Sequence, residues 1–303
     1  MIKLFSGTAN PRLSQEVAKL LNLTLAKAEV TRFHNSEVRV RIQDEVRNHT
    51  SVIIQPTANP TDTNLMELFF FCDALRRQEA KKVIGVIPYF GYARQDVQHR
   101  PGECVSANVI IRFIESIGFD KIYTVDLHDE ATEGVFSIPF KNLSAFPFLA
   151  EKVKKYLGND QVAIVSPDQG GVERARKFGQ YFFKKTGFDL SVIEKKRDLA
   201  HIHKSEAMAL YGDVKNKTVV LVDDLTTSGT TLINAAELCL KQGAKKVVVA
   251  VVHHDFSPDA EKKLQKSKIE KFFSTNTIAL RKNFPKLEIV SVASLIKNAL
   301  ESL

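Results

Sequence analysis

Short apolar runs alternate with amphipathic segments along the whole chain. Six runs rich in branched apolar side chains predict buried strands: Val52–Gln55, Val83–Pro88, Lys121–Asp126, Val162–Ser166, Thr218–Val222 and Val247–Val252. Between them apolar residues recur at helical spacing, as at Leu65, Phe69, Cys72 and Leu75. This alternation predicts an α/β fold with a mainly parallel, doubly wound sheet, whose ligand site lies at the carboxyl ends of the strands. Residues 37–42 alternate apolar and charged side chains instead, which predicts a half-exposed antiparallel strand.

One strand–loop–helix–strand plan occurs twice. Residues 52–87 and residues 219–251 each begin with a branched apolar strand and end in a turn that starts with one glutamine, followed by two lysines and a second strand. The repeat predicts two related domains, over residues 1–147 and 148–303. The loop of the first copy, residues 56–64, contains prolines and lacks an acidic pair, so only the second copy is expected to hold phosphate.

Composition narrows the class of protein. The chain has 303 residues, 44% of them hydrophobic, and a formal net charge of +8. The basic residues are scattered and the 20 phenylalanines lie mostly in apolar runs, so no nucleic-acid partner is expected. No apolar run approaches the roughly 20 residues that cross a bilayer, and the N-terminal residues lead into a strand without a signal-peptide pattern. The cysteines, Cys72, Cys104 and Cys239, lack paired spacing, which indicates free thiols and a cytoplasmic location.

The most informative segment, residues 218–232, reads Thr-Val-Val-Leu-Val-Asp-Asp-Leu-Thr-Thr-Ser-Gly-Thr-Thr-Leu. A strand ends in the carboxylates Asp223 and Asp224, and a hydroxyl-rich loop around Gly229 leads to a helical pattern that begins at Leu232. Helix N-termini attract phosphate, and carboxylates at a strand end can accept hydrogen bonds from two neighbouring sugar hydroxyls. No Walker A sequence follows the glycine. An ordinary capped turn is the alternative, but the acidic pair beside five hydroxyl side chains favours a sugar-phosphate site.

Two further strand ends carry candidate ligands. His128 ends the sequence Asp-Leu-His, and Asp168 stands in the sequence Ser-Pro-Asp-Gln-Gly-Gly. The two side chains could share one magnesium ion, with water in the remaining positions. The alternatives are a structural histidine and an aspartate that caps the helix opened by Gly170 and Gly171.

Two polar, charged segments, residues 90–105 and 195–213, interrupt the regular alternation. Long irregular loops in a compact α/β fold are typical of lids or binding loops. The first contains Arg94-Gln95-Asp96 and the second begins with Lys195-Lys196-Arg197. On composition alone, each group could equally be a solvated charged turn.

In their order and spacing, these motifs resemble the ribose-phosphate diphosphokinase (phosphoribosyl diphosphate synthetase) family over essentially the whole chain. The matching stretches are Arg32–Glu37, Pro88–Asp96, Asp126–His128, Gly134–Pro139 with Asn142-Leu143, Ser166–Gly171, Glu194–Arg197 and Thr218–Leu232. The resemblance implies two phosphoribosyltransferase-like domains with mainly parallel, doubly wound sheets. It also implies transfer of the diphosphoryl group of MgATP to the 1-hydroxyl of ribose 5-phosphate, with release of AMP. The implied cofactor is Mg²⁺, and the implied assembly is a homo-oligomer, either a dimer or a larger ring such as a hexamer.

The same resemblance assigns roles residue by residue. The implied ribose 5-phosphate site comprises Asp223, Asp224, Thr226, Thr227, Ser228, Gly229, Thr230 and Thr231. The implied ATP site comprises Phe33, Asn35 and Glu37, reaching in from a neighbouring subunit, together with Arg94, Gln95 and Asp96. His128 and Asp168 would organise magnesium. Lys195 and Arg197 would clamp the transferring group.

Other functions stay open at this point. A phosphoribosyltransferase shares the Asp-Asp loop, and the order Ser-Gly-Thr-Thr approaches its pattern, but it has no need of the Arg-Gln-Asp loop or of a duplicated domain. A regulatory paralogue without activity would not need the cationic, histidine and aspartate residues described above. The chain also departs from the diphosphokinase pattern: Val97 and Gln98 stand where the family tends to carry basic residues, and Asp129 adds a carboxylate after His128.

Overall fold

A computed structural model of the chain describes residues 2–196 and 207–303. The chain divides into two compact units. Unit 1 comprises residues 1–144, 277–279 and 291–303, and unit 2 comprises residues 145–276 and 280–290. The C-terminal residues therefore belong to unit 1, whereas the sequence predicts one continuous domain over residues 148–303.

Unit 1 contains a five-stranded parallel sheet in the order β1-β4-β5-β6-β7. Its strands are β1 (Ile2–Ser6), β4 (Thr50–Ile54), β5 (Lys82–Ile87), β6 (Lys121–Val125) and β7 (Phe140–Leu143). A separate antiparallel hairpin consists of β2 (Ala28–Arg32) and β3 (Val38–Ile42). The hairpin confirms the antiparallel strand predicted over residues 37–42.

The helices of unit 1 are α1 (Pro11–Leu20), α2 (Thr61–Arg77), α3 (Ser106–Ile117) and α8 (Ala293–Leu300), and a 3-10 helix spans Glu130–Val135. The apolar face predicted for α2 is buried at Leu65, Phe69, Cys72 and Leu75. Helix α8 packs on α1 and buries Ile296 and Leu300, among others. This packing explains why the C-terminal residues belong to unit 1.

Unit 2 contains a seven-stranded sheet in the order β10-β9-β8-β11-β12-β13-β14. Its strands are β8 (Val162–Ser166), β9 (Leu190–Lys196), β10 (Ala207–Tyr211), β11 (Thr218–Thr226), β12 (Lys246–His254), β13 (Lys271–Thr275) and β14 (Leu287–Val290). All neighbouring strands are parallel except the edge pair β9 and β10. This arrangement confirms the predicted mainly parallel fold.

The helices of unit 2 are α4 (Phe146–Leu157), α5 (Val172–Phe183), α6 (Thr230–Lys241) and α7 (Ala260–Lys266). Helix α5 packs on β8 and β11, and α6 packs on β11 and β12. The central strands are almost entirely apolar and buried, as at Val219–Val222. A strand buried in this way requires cover on both faces, which the helices provide.

The predicted strands are all present, most of them with ends shifted by one or two residues, and two larger differences concern β11 and the segment 195–213. Strand β11 continues past residue 222 through both carboxylates to Thr226. The segment 195–213, predicted to be irregular, contributes the end of β9 and all of β10. Strand β10 has the apolar sequence Ala-Met-Ala-Leu-Tyr, and the charged residues between positions 195 and 206 hid this short strand from the sequence pattern. Residues 90–105 are irregular, as predicted.

Among the residues that the structure describes, no helix combines the length and the apolar character needed to cross a membrane.

Candidate active site

The candidate site of unit 2 lies where the central strand β11 ends. This strand pairs with β8 only up to Leu221, but it pairs with β12 as far as Thr226. The extra length carries Asp223 and Asp224 beyond the end of β8 while the neighbouring strand still holds their backbone. The carboxylates are therefore fixed by the sheet at its carboxyl edge, where open α/β sheets bind ligands.

Both carboxylates are almost completely buried, with relative exposures of 9% for Asp223 and 3% for Asp224. The backbone N–H of Asp224 donates a hydrogen bond to Asp223 Oδ1 at 2.9 Å. The guanidinium of Arg174, from α5, faces both side chains: its Nε lies 3.2 Å from Asp224 Oδ1, and its Nη2 lies 3.6 Å from Asp223 Oδ1. The site thus contains a buried triad of two carboxylates and one arginine.

Burial raises the pKa of Asp223 well above its usual value, and the neighbouring charge of Asp224 raises that pKa further. Arg174 acts in the opposite direction, while Asp168 adds a smaller upward effect. The ionised form of Asp223 is therefore costly in the unliganded protein. A carboxyl group whose pKa is strongly shifted by burial and by a neighbouring charge is typical of a functional site.

The loop that follows β11 turns sharply into α6 at Gly229. This residue has φ +74°, in the left-handed region, and it stands as the N-cap of α6 without a side-chain cap. A Cβ atom at Gly229 would lie 2.8 Å from Leu264 Cδ2 on α7. The first N–H groups of α6 have no partner within the helix and can therefore donate hydrogen bonds to an anion such as phosphate.

Side chains and backbone on both sides fix the shape of this loop. Ser228 Oγ lies 3.1 Å from Thr230 Oγ1 and accepts a 3.3 Å hydrogen bond from the Thr230 N–H. The N–H of Ser257, after β12, donates to the carbonyl of Thr227 at 3.1 Å. The predicted residues Thr226 to Thr231 thus occupy one continuous strand–loop–helix connection beside the acidic pair.

Asp168 lies in the turn between β8 and α5. Its Oδ1 accepts a hydrogen bond from the N–H of Gly171, at the start of α5, at 2.8 Å. The side chain therefore closes the turn that leads into α5, but it does not cap the helix as the structural alternative predicts, because the N-cap residue is Gly171 and has no side-chain cap. Asp168 is only half-buried, and its charge acts on Asp223, so it also belongs to the electrostatic surroundings of the acidic pair.

His128 belongs to unit 1, where it follows β6 and is half-buried. Across residues 2–196 and 207–303, no group of three or more His, Cys, Asp or Glu side chains could hold a metal by itself. The carboxylate of Asp168 is nevertheless suited to magnesium, which takes oxygen ligands and completes its shell with water and substrate phosphates. An imidazole nitrogen such as that of His128 is a less typical ligand. The shared magnesium site stays a prediction.

Phe33, Asn35 and Glu37 lie at the tip of the β2–β3 hairpin. The N–H of Phe33 donates to the carbonyl of Glu37 at 2.9 Å, and Asn35 Oδ1 accepts from the Glu37 N–H at 3.2 Å. The Phe33 ring is 45% exposed, and the guanidinium carbon of Arg39 lies 5.6 Å from its centroid. An exposed aromatic ring beside an arginine could stack on a base, but the predicted ATP contact stays a prediction.

Arg94, Gln95 and Asp96 lie in the irregular segment between β5 and α3. Arg94 and Gln95 are exposed, and Asp96 is half-buried. Gln95 Oε1 accepts a 2.7 Å hydrogen bond from Ser106 Oγ, which attaches this loop to the start of α3. Arg94 therefore extends from a segment whose backbone is anchored.

The two predicted catalytic cations lie at or beyond the limit of the described residues. Lys195 belongs to β9, where its backbone pairs with that of Met208. Arg197 lies outside the described residues.

The sequence did not reveal Arg174. An arginine within an amphipathic helix usually lies at the surface, whereas only 18% of this side chain is exposed. The one available signal was its position, three residues after Gly171 in the helix that follows Asp168. That helix packs on β11, and only this packing brings the guanidinium to the acidic pair.

In unit 1, the equivalent strand end has a different chemistry. Gln55 follows β4, and its Nε2 donates to Glu67 Oε1 at 3.1 Å. Glu67 is fully buried and also accepts from the N–H and the hydroxyl of Thr8, both at 2.6 Å, and from Arg32 at 3.1 Å. In the first copy of the repeat, the polar side chains at the strand end therefore form hydrogen bonds with one another.

Comparisons with known proteins agree on one family. Two family models match the chain. The model described as the N-terminal domain of ribose phosphate pyrophosphokinase matches residues 2–118, and the model described as the phosphoribosyl transferase domain matches residues 143–285. It is 38% identical to the ribose-phosphate pyrophosphokinase of Thermosipho africanus over 301 residues, covering 99% of this chain and 93% of that one. It is also 38% identical to the protein of the same name from Aquifex aeolicus, with coverages of 99% and 94%. The crystal structure of phosphoribosylpyrophosphate synthetase from Mycobacterium smegmatis superposes with a TM-score of 0.93 at 32% identity, covering 99% and 98% of the two chains.

The raised pKa of Asp223 predicts an unusual pH dependence of stability for Asp223→Asn. Because ionised Asp223 is disfavoured in the folded chain, its cost is absent below the ordinary pKa of 3.8 and grows as the pH rises through the raised value. We expect the substitution to raise the unfolding midpoint by about 2–4 °C at pH 8 and to have much less effect near pH 4. Thermal denaturation followed by circular dichroism measures both.

Asp160→Asn is the matched control. A hydrogen bond from Lys246, and then one from Thr218, lower the pKa of Asp160. Its ionised form is therefore stabilising above its ordinary pKa, and this substitution should lower the unfolding midpoint at pH 8 and lose its effect in acid. A lower midpoint for Asp223→Asn at pH 8 would contradict the assigned cost of the buried pair.

Gly229→Ala should distort the loop rather than unfold the unit, because the new Cβ meets Leu264 and requires a left-handed backbone. We expect the affinity for ribose 5-phosphate to fall by about tenfold or more in a calorimetric titration, at a cost of about 1–2 kcal/mol. Gly118→Ala is the control, since Gly118 also has a left-handed backbone but its Cβ would reach Arg76 Nε only at 3.4 Å. Equal affinities for the Gly229→Ala protein and the unchanged protein would exclude the loop as the phosphate site.

Proposed function

The chain belongs to the ribose-phosphate pyrophosphokinase family, and we propose that it catalyses the reaction after which that family is named. It transfers the diphosphoryl group of MgATP to the 1-hydroxyl of ribose 5-phosphate and gives 5-phosphoribosyl 1-diphosphate and AMP. The single observation that carries this proposal is the buried acidic pair at the end of β11, followed directly by the hydroxyl-rich loop and the N-terminus of α6.

The acidic pair and the loop match the two ends of a sugar phosphate. Ionised Asp223 and Asp224 accept hydrogen bonds from neighbouring ribose hydroxyls and so fix the orientation of the ring. The N–H groups at the start of α6 and the hydroxyls of residues 226–231 bind the 5-phosphate. With both ends fixed, the 1-hydroxyl is held in one direction, which removes most of the entropic cost of bringing it to a second substrate.

The bond that forms joins the 1-hydroxyl oxygen to the β-phosphorus of ATP, and the bond that breaks joins this phosphorus to the oxygen that leaves with AMP. Reactions of this type need positioning and stabilisation of charge more than covalent help from the protein. We assign the charge stabilisation to Lys195 and Arg197. Phe33, Asn35 and Glu37, contributed by a neighbouring subunit, form the proposed adenine site with Arg94, Gln95 and Asp96, and a homo-oligomer is part of this proposal.

The family reaction generally requires a divalent metal ion, and we propose Mg²⁺. His128 and Asp168 are the proposed ligands, with phosphate oxygens and water completing the shell. When bound, the ion would neutralise charge on the phosphate oxygens. The three free cysteines accord with the proposed cytoplasmic location.

Incubation of the full chain with ATP, Mg²⁺ and ribose 5-phosphate tests the reaction. We expect AMP and 5-phosphoribosyl 1-diphosphate to form in equal amounts, as measured by chromatography, and AMP to be absent when the sugar is omitted. Removal of the divalent ion with a chelator should stop both products. Failure to form AMP, or formation of AMP at the same rate without the sugar, would refute the proposed function.

Lys195→Ala tests the assigned charge stabilisation. Since a cation that acts mainly on the transferring group contributes little to the ground state, we expect kcat to fall by about 10²–10³ while ribose 5-phosphate affinity stays nearly unchanged. Steady-state kinetics and calorimetry separate the two effects. Lys155→Ala, at an exposed lysine of α4, should leave both quantities unaltered. Turnover of Lys195→Ala equal to that of the unchanged protein would remove Lys195 from the reaction.

A further inference from the structure

The arrangement of Arg174 between the two carboxylates has a consequence for the choice of sugar. The terminal torsion of an aspartate is soft, so the direction of its oxygens is decided by the groups around it. Arg174 Nε and Nη2 face the Oδ1 atom of Asp224 and of Asp223, respectively, at 3.2 and 3.6 Å. One planar guanidinium thereby lies in ion-pair contact with both carboxylates at once, and a planar fork can constrain two acceptors together, which a point charge cannot do.

The same contact governs the charge of the pair. Only 13% of the Asp223 side chain and 4% of the Asp224 side chain are exposed. Two adjacent carboxylates with so little water favour protonation of one of them, and a protonated carboxyl loses acceptor capacity for a sugar hydroxyl. The positive charge of Arg174 opposes this protonation, and Asp168 is the further charged group that acts on Asp223.

The position of Arg174 is rigid enough for such a role. Arg174 lies in the first turn of α5, a helix that packs on both β8 and β11. Its side chain is 18% exposed, so solvent does not compete strongly for the guanidinium. By contrast, Arg176 of the same helix is 42% exposed and pairs at 3.3 Å with Glu173, which makes it a matched surface arginine.

We propose that Arg174 is a positioning residue that makes the site selective for a pentose phosphate with two neighbouring hydroxyls. It holds one acceptor from each carboxylate towards each hydroxyl of the pair. A sugar that lacks one of these hydroxyls, such as 2-deoxyribose 5-phosphate, leaves a buried acceptor without its donor and is rejected. This inference rests on the proposed function of the acidic pair as the ribose-binding group.

Calorimetric titration of the full chain with ribose 5-phosphate and with 2-deoxyribose 5-phosphate tests the proposal. We expect the unchanged protein to bind the ribose compound at least about tenfold more tightly. In Arg174→Gln the ratio should fall to about threefold or less, because affinity for the ribose compound falls while affinity for the deoxy compound hardly changes. Arg174→Lys, which keeps the charge but loses the fork, should give an intermediate ratio. Arg176→Gln should keep the ratio of the unchanged protein.

The outcomes separate this inference from the proposed function. If the unchanged protein binds neither sugar, the proposed function itself fails. If it binds ribose 5-phosphate selectively and Arg174→Gln weakens both sugars by the same factor, or weakens neither, Arg174 has only a structural role and the inference is overturned. Thermal denaturation verifies that each variant is folded. If Arg174→Gln does not fold, Arg174→Lys decides the question, since an undiminished ratio in that variant would overturn the inference.

Discussion

The contact between Arg174 and the two carboxylates of β11 is the interaction on which the site depends. Two adjacent carboxylates removed from water would strongly resist ionisation, yet hydrogen bonding to sugar hydroxyls requires them to be ionised. One guanidinium facing an oxygen of each side chain reduces the formal charge of the group from −2 to −1. The remaining free-energy cost of the buried negative charge is offset by the packing of the fold. The central strand is buried on both faces, and a helix packs directly on it.

The two units share one strand–loop–helix–strand plan, and the side chains at the strand end give the two copies different properties. In both units a buried parallel strand leads through a polar loop to a helix and returns as the neighbouring parallel strand. In unit 1 the strand is followed by Gln55, and the buried charge of Glu67 is satisfied by Thr8 and Arg32. In unit 2 one arginine faces two carboxylates, so the group keeps a net negative charge when both carboxylates are ionised. A charge of this kind at the carboxyl edge of the sheet suits a ligand that donates hydrogen bonds.

The phosphate loop receives its shape from a part of the chain that follows it by about thirty residues. The N–H of Ser257 donates a hydrogen bond to the carbonyl of Thr227, and Leu264 occupies the space beside Gly229 where a Cβ atom would stand. The glycine is therefore required twice, once for its left-handed backbone and once for the close approach of α7. Rigid support of this kind fixes the N–H groups of α6 before any anion arrives, which lowers the entropic cost of binding.

The sequence by itself determined the α/β class, the central strands, the repeat and the location of the acidic pair and its loop. These features depend on local periodicity and on residues that are neighbours in the chain, which the sequence displays directly. Only the tertiary structure decided that Arg174 faces the acidic pair, that Leu264 backs Gly229, that β9 and β10 form an edge pair, and that the C-terminal helix packs in unit 1. The contacts of Arg174, Leu264 and the C-terminal helix join segments far apart in the chain, and the sequence of an amphipathic helix does not show which residue its arginine or leucine will contact. The pairing of β9 with β10 is local, but the charged residues before β10 hid that strand.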